Sequence, residues 1–327
     1  MGVLLALGTG MNSQTYDVAI VGGGPAGLSA AIWLARYLHR VILIDSGDPR
    51  NWETRGVNGY LGRPGIRPPE LRGSGREAAR AHDVELVDAI CERVACHDEE
   101  HFRLLLADGR AIDARRLVLA IGLKDVWPNV PGLEHIYGAN AHVCPDCDGW
   151  ECAERKVVVL GKGRKAAGLA LDLTTWTREI IICTNGAPAD LDLPEYCEKL
   201  DALNIPVLES PITRVAHNGS RIQSIEFEDG LQLDVDKIFF AIGQYPADDL
   251  GAQLGCERDS DGHIIVDEHY HTSVRHCYAA GDIVPGPQLA IAAAADGAMA
   301  ALAIHKSLVP ASRKLEPLAA PPSKRSG

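Results

Sequence analysis

The alternation of apolar and polar positions divides the chain into two stretches built alike. Residues 18–21 are an unbroken apolar run, 22–27 a break rich in Gly and Pro, 28–38 apolar at helical spacing, and 41–44 apolar and β-branched again. Uninterrupted apolar strands joined by a helix predict a parallel sheet covered on both faces. The same order returns with a strand over 156–160, a tight turn over 161–166, a helix over 167–177 and a strand over 179–183. A meander recurs as well, over 102–106, 111–112 and 117–121 around Asp108-Gly109, then over 221–227, 231–235 and 237–242 around Asp229-Gly230.

Between these units, residues 47–75 are rich in Gly, Pro and Arg without a sustained period, which predicts a long loop lining a site, and a helix is expected over 69–81. A short strand over 277–279, then Gly281-Asp282 and an Ala-rich helix over 289–304, close the pattern. If that last strand and helix complete the first unit, the second is an insertion, with crossings near 123–131 and 242–249. The expected fold class is therefore α/β, with two Rossmann-like dinucleotide-binding domains, the second inserted into the first. The expected boundaries are an N-terminal extension over 1–15, a discontinuous first domain over 16–124 and 245–315, a second domain over 125–244, and a flexible tail over 316–327.

Composition narrows the function classes. A chain of 327 residues with 46% hydrophobic and 23% charged residues buries a sizeable core, which excludes widespread disorder. A net charge of −12 supplies no positive field for sequence-independent nucleic-acid binding or an anionic membrane. No apolar run reaches the ~18 residues of a membrane span; the longest candidate is interrupted by Asp296 and Gly297. The first ten residues lack a basic segment and an A-x-A site, so no secretory peptide is expected, and Met11 serves equally as a start. Nine cysteines are too sparse for a disulfide scaffold and point to a reducing, cytoplasmic setting.

Three clusters carry chemistry. Gly22-x-Gly24-x-x-Gly27 stands between strand and helix, with Pro25 in the first helical turn and Asp45 closing the next strand. Such a turn lets a diphosphate approach free N–H groups at the helix N-terminus, and the carboxylate can accept ribose hydroxyls. A purely structural glycine turn is the plain alternative, and the position of the acid favours the first reading. Gly161-x-Gly163-x-x-Ala166 repeats the pattern more weakly. Its second strand ends Cys183-Thr184-Asn185-Gly186, without an acid for ribose or an Arg for a 2′-phosphate, and Lys162, Arg164 and Lys165 suit either phosphates or a solvated turn.

Cys144-Pro145-Asp146-Cys147 is a C-x-x-C pair able to close a disulfide, with Asp148 beside it to exchange the proton that thiol chemistry needs. The alternative is zinc, held by His142, Cys144, Cys147 and Cys152. No metal is the reading taken here, because four ligands would crowd one short segment and the glycine turn would stay unexplained. Cys91, Cys96, Cys183, Cys197, Cys256 and Cys277 read as scattered, mostly small buried hydrophobes. His269-Tyr270-His271 reads as an exposed strand or turn, and Trp52 and Tyr60 as packed loop aromatics or as a surface on which a ring system stacks.

In order and spacing, Gly22 to Gly27, Asp45, Cys144-Pro145-Asp146-Cys147-Asp148-Gly149, the second glycine turn, Gly281-Asp282 and Gln288-Leu289-Ala290 resemble the low-molecular-weight thioredoxin reductases. The resemblance covers nearly all of the chain from about residue 15 to 310 and implies FAD. The flavin nucleotide would lie against Gly22, Gly24, Pro25, Ala26, Gly27, Asp45 and Ser46 from the first unit. Asn58, Ala120 and Gly122, then Gly281, Asp282, Gln288, Leu289 and Ala290 would complete its site. By the same resemblance Cys147 faces the flavin, Cys144 attacks a partner disulfide, and Asp148 is the acid–base group. The family's basic run after the second strand is replaced here by Thr184-Asn185-Gly186, which leaves the donor open between NADPH, ferredoxin and a second flavin, and the second site, Gly161, Gly163, Arg164 and Ala166, in doubt.

The expected function is a homodimeric, FAD-dependent disulfide oxidoreductase acting on a thioredoxin-like protein or a small disulfide. The segment 45–52 and residues 59–63 look more like divergent branches, so a dithiol oxidase using oxygen is the second expectation. A zinc-stapled nucleotide-binding module without turnover is the third. No nucleic acid or membrane is expected as a partner.

Overall fold

The computed structural model describes residues 15–98, 100–191 and 194–315; the expected N-terminal extension and tail lie almost wholly outside them. The chain opens with β1 (Tyr16–Val21), α1 (Pro25–Arg36) and β2 (Val41–Asp45), with β1 and β2 parallel. The loop that follows ends at α2 (Pro68–Arg80), earlier than expected, because two prolines occupy the first helical positions, where no N–H is needed. Then come β3 (Glu85–Asp88), β4 (Cys91–Cys96), β5 (Phe102–Leu106) and β6 (Ala111–Leu119). The break expected inside β6 is absent: its first half pairs antiparallel with β5 and its length lies parallel to β1, so one strand serves both.

A short strand, β7 (Leu123–Asp125), leads away to β8 (Ala141–His142), the short helix α3 (Pro145–Asp148), β9 (Val157–Leu160), α4 (Gly163–Leu173), β10 (Ile180–Cys183), α5 (Pro194–Ala202) and β11 (Val207–Leu208). Helix α4 lies four residues N-terminal to its expected place, since Gly163, at φ +60, already opens it, and the Thr174 hydroxyl donates to Leu171 O at its end. The second meander is β12 (Ile212–Asn218), β13 (Arg221–Phe227) and β14 (Gln232–Asp234), followed by β15 (Lys237–Phe240). The chain returns through β16 (Gln244–Pro246), α6 (Leu250–Gln253), β17 (Cys277–Ala279) and α7 (Ala290–Leu308).

The first sheet runs β3-β2-β1-β6-β5-β4, with β17 laid parallel against the end of β6, so the last strand does complete the first unit. The second runs β11-β10-β9-β15-β8, all parallel. Both expected Rossmann-like units are present, the second inserted into the first. The two crossings pair with each other: β7 and β16 form an antiparallel ribbon.

Strand alternation supplies two faces to bury. Val18 and Ile20 pack with α1 and α7, whereas Ala19 and Val21 pack with the meander and the β17 region. The second sheet divides likewise, Val157 and Val159 toward α4, Val158 and Leu160 toward the second meander. Helix α7 crosses α1 so closely that a Cβ on Gly297 would stand 2.0 Å from Ala26 O. The parallel strands of both sheets end at loops on their carboxyl side, the usual place for a ligand in such folds.

Candidate functional site

At the end of β1 the chain must turn within three residues, and glycine alone allows it. Gly22 has φ +109, and a Cβ there would lie 2.1 Å from Ala120 O; one on Gly27 would lie 1.9 Å from Gly22 O. Gly24 differs, because no atom lies within 4 Å of its virtual Cβ. The space over Gly24 is left open, and the first turn of α1 has no side-chain cap, so its N–H groups are free for an anion. Helix α7 also starts without a side-chain cap, after Gln288 and Leu289. These features fit a dinucleotide diphosphate.

A cavity of about 600 Å3 extends from this turn. Gly22, Gly24, Pro25, Ala26, Asp45, Ser46 and Asn58 line it, as do Ala120, Gly122, Gly281, Asp282, Gln288, Leu289 and Ala290; Cys144 to Asp148 line it from the inserted unit. Gly27 lies beneath it as a packing residue. Tyr60 reaches the cavity, while Trp52 is not among its lining residues.

The Asp45 carboxylate is buried and already engaged. Arg72 and Arg76 both donate to its Oδ2, and Gly47 N donates to Oδ1. The two arginines come from α2 and carry no local sequence signal, so only the fold reveals them. Arg50 is a third residue that sequence reasoning missed. It donates to Asp125, Asp282 and Gln288. Burial pushes the Asp282 carboxyl above the usual carboxylate range against the pull of Arg50.

Cys144 and Cys147 form a disulfide at the start of α3, with Cys147 N donating to Cys144 Sγ at 3.1 Å. Asn58 Nδ2 donates to Cys147 O and to Glu151 Oε1, both at 3.2 Å, which joins the long loop to the C-x-x-C turn. The donors of the zinc alternative do not converge. Two are spent on the disulfide, Cys152 Sγ meets Asp148 O at 3.3 Å, and the His142 ring nitrogens face Asp148 and Lys237.

The second glycine turn is closed by the chain itself. Gly163 N donates to Ala189 O at 2.7 Å and Lys162 Nζ to Asp190 Oδ2 at 2.6 Å; Arg164 is exposed and Ala166 buried. Of the scattered cysteines, Cys91, Cys183, Cys256 and Cys277 are buried, as expected, whereas Cys96 and Cys197 are exposed. Tyr270 is only half-buried and its hydroxyl donates to Asp296 of α7 at 2.6 Å, so it is a packing contact rather than an exposed residue.

Two dinucleotide-type folds and a disulfide facing the cleft of the first define an FAD-dependent disulfide oxidoreductase. The chain belongs to the pyridine nucleotide-disulphide oxidoreductase family, whose model matches residues 16–297, and within it is thioredoxin reductase-like. It is similar to the crystal structure of HlmI, at 32% identity and a TM-score of 0.85 over 91% of this chain and 95% of that one. The thioredoxin reductase of Streptococcus pyogenes MGAS5005 is similar at 25% identity and a TM-score of 0.84, over 90% and 98%. An alkyl hydroperoxide reductase component of Escherichia coli (strain K12) is 30% identical over 310 residues, covering 90% of this chain; the chain spans only 59% of that relative. Among the described residues no helix is long and apolar enough to cross a membrane.

Proposed function

We propose that the chain acts as a homodimer that passes two electrons between flavin and the Cys144–Cys147 disulfide, and onward to the disulfide of a thioredoxin-like protein. The observation that carries this reading is the cavity lined at once by the first glycine turn, Asp282 and Cys144 to Asp148. In this reading residues 16–124 and 245–315 hold FAD, and 125–244 carry the sulfurs. Bound FAD supplies two-electron transfer to the sulfur pair.

The residues divide the remaining work. The open space over Gly24 and the uncapped starts of α1 and α7 bind the diphosphate and face the ring, with Gly22, Gly27 and Gly281 shaping the approach. Cys147 is the flavin-facing sulfur, held by the Asn58 contact, and Cys144 attacks the partner disulfide. Asp148 moves the proton. Cys144 must also reach a partner, so the inserted unit rotates on the β7–β16 ribbon, through which both crossings pass.

Of the three candidate donors, NADPH, reduced ferredoxin and a second flavin, this reading favours the latter two. This is supported by the second glycine turn, whose Gly163 N–H and Lys162 ammonium are engaged by residues 189–190. The same feature favours a second reading, a dithiol oxidase that runs the electrons from a small dithiol through the Cys pair to flavin and oxygen.

Stopped-flow mixing with NADPH, reduced ferredoxin and a small dithiol tests the donor by the rate of flavin bleaching. Fast bleaching by NADPH overturns the donor assignment; bleaching by the dithiol alone establishes the second reading. Cys147→Ser should retain FAD and lose flavin-to-disulfide transfer. A Cys147→Ser enzyme that turns over a protein disulfide at the parental rate overturns the whole reading.

A further inference from the structure

Behind the disulfide lies a row of polar side chains, of which the function proposed above uses only Asp148. His142 is 6% exposed, on β8, and the parallel pairing of β8 with β15 sets it beside Phe239, whose ring packs 5.4 Å from the imidazole. Its Nδ1 stands 3.3 Å from Asp148 Oδ2, and its Nε2 stands 3.1 Å from Lys237 Nζ. Lys237 Nζ also donates to Ala139 O at 2.8 Å. An ammonium group only donates, so Nε2 accepts; a neutral ring then carries its hydrogen on Nδ1, directed at the Asp148 carboxylate.

Resting on the reading of Cys144–Cys147 as the redox pair, we propose that His142 and Lys237 are positioning residues that act through Asp148 as a proton relay during thiol–disulfide exchange. When the disulfide opens, one sulfur leaves as an anion. The Asp148 carboxylate takes the Nδ1 hydrogen of His142 and passes it to that sulfur, while Lys237 gives a proton to Nε2. The imidazole stays neutral and Lys237 becomes an amine. When the pair closes again on a substrate disulfide, a thiol proton returns along the same path, so the ring recovers its first tautomer each cycle. No electrons pass through the relay.

The surroundings suit the role. Burial pushes the Lys237 ammonium below the ordinary lysine range, against the opposing pull of Cys152, Asp148 and Glu151, and Arg55 adds to the lowering. Cys152, whose thiol burial pushes up to about 11, stays protonated and does not compete. Lys237 is half-buried, close enough to water to exchange its proton.

The test follows the opening of the Cys144–Cys147 disulfide by excess dithiothreitol in FAD-loaded protein, quenched by alkylation and read by mass spectrometry from pH 5 to 9. General acid–base assistance contributes about 100-fold or more, so His142→Asn, which can still donate to Asp148, should slow opening at least ~10-fold and flatten its pH profile. Lys237→Gln and Lys237→Arg should do the same, since neither can release a proton. A parental pH profile in His142→Asn, a uniform loss at every pH, or rescue of the profile by Lys237→Arg overturns the relay; the last would reduce Lys237 to a fixed charge. Flavin absorbance in the same mixing reports separately on the redox pairing. A parental disulfide that opens while the flavin never bleaches defeats the proposed function, and the relay is still judged from the alkylation rates.

Discussion

Arg50 holds Asp125 in a two-pronged ion pair, with Nε 2.7 Å from Oδ2 and Nη2 2.7 Å from Oδ1. Arg50 belongs to the loop after β2, and Asp125 is the last residue of β7, one of the two crossings. The remaining Arg50 nitrogen reaches Asp282 at 3.2 Å and Gln288 at 2.7 Å. Gln288 in turn exchanges hydrogen bonds with Gln244, on the other crossing, at 2.8 and 3.0 Å. One guanidinium thus ties both crossings to the residues around Asp282, and any rotation of the inserted unit must break or carry this knot.

Arg50→Gln should destabilise the protein by about 3 kcal/mol, because the Asp125 and Asp282 carboxylates lose their partner in a mostly buried place. Urea unfolding measures the loss. Asp125→Asn in the Arg50→Gln background should cost much less than Asp125→Asn alone, the mark of a coupled pair. Additive costs would show that the pair contributes nothing of its own.

Gly22 and Gly24 should separate fold from cofactor. Gly22→Ala drives a Cβ onto Ala120 O in a backbone conformation at φ +109, so it should lower the melting temperature of the protein stripped of flavin. Gly24→Ala meets no atom within 4 Å, so the stripped protein should melt within about 1 °C of the parent, the effect of a few tenths of a kcal/mol. Its FAD affinity should nevertheless fall at least ~10-fold, a loss of about 1.4 kcal/mol. Equal FAD affinity in Gly24→Ala and parent would place the diphosphate elsewhere.

A pH dependence is built in where α1 and α7 end together. His39 Nε2 and His305 Nδ1 are 3.0 Å apart, and burial lowers the His39 pKa, against Asp17 and with help from His305 and Arg115. A lowered folded-state value means that the stabilising contribution is complete above pH 6.5 and is lost as the pH falls through the folded value. Urea midpoints should therefore decline as the pH drops from 6.5 toward 5, and His39→Gln should flatten that decline. A steeper acid slope in His39→Gln would reverse the sign.

Cysteine accessibility gives a quick check of the disulfide. Iodoacetamide should label Cys96 and Cys197 rapidly in the untreated protein, since the other free thiols are buried. Mild reduction should add Cys144 and Cys147, which form the disulfide, while Cys91, Cys152, Cys183, Cys256 and Cys277 stay protected in the folded protein. Peptide mass spectrometry distinguishes the sites, and rapid labelling of Cys144 before reduction would contradict the bond.

Cys256 shows why such checks cannot come from composition. In the linear chain it and Cys277 look like unrelated small apolar residues. Folding brings the two side chains together, and the Cys277 thiol lowers Cys256 below the ordinary thiol range, with Thr272 and Arg258 adding to the effect against burial. The neighbour, Cys277, is raised in return.

The parallel strands, the glycine turn between β1 and α1, and the C-x-x-C pair with Asp148 were legible before any coordinates. Each depends on residues adjacent in the chain: alternation sets strand and helix, a positive φ demands glycine at position 22, and two cysteines three apart can close a ring. Arg50 with Asp125, Arg72 and Arg76 with Asp45, residues 189–190 across the second glycine turn, and Lys237 behind His142 were decided by tertiary structure alone. The difference is physical. Charges and hydrogen bonds act over a few ångströms of space whatever their separation along the chain, so a partner 75 or 95 residues away leaves no period, spacing or local preference to read.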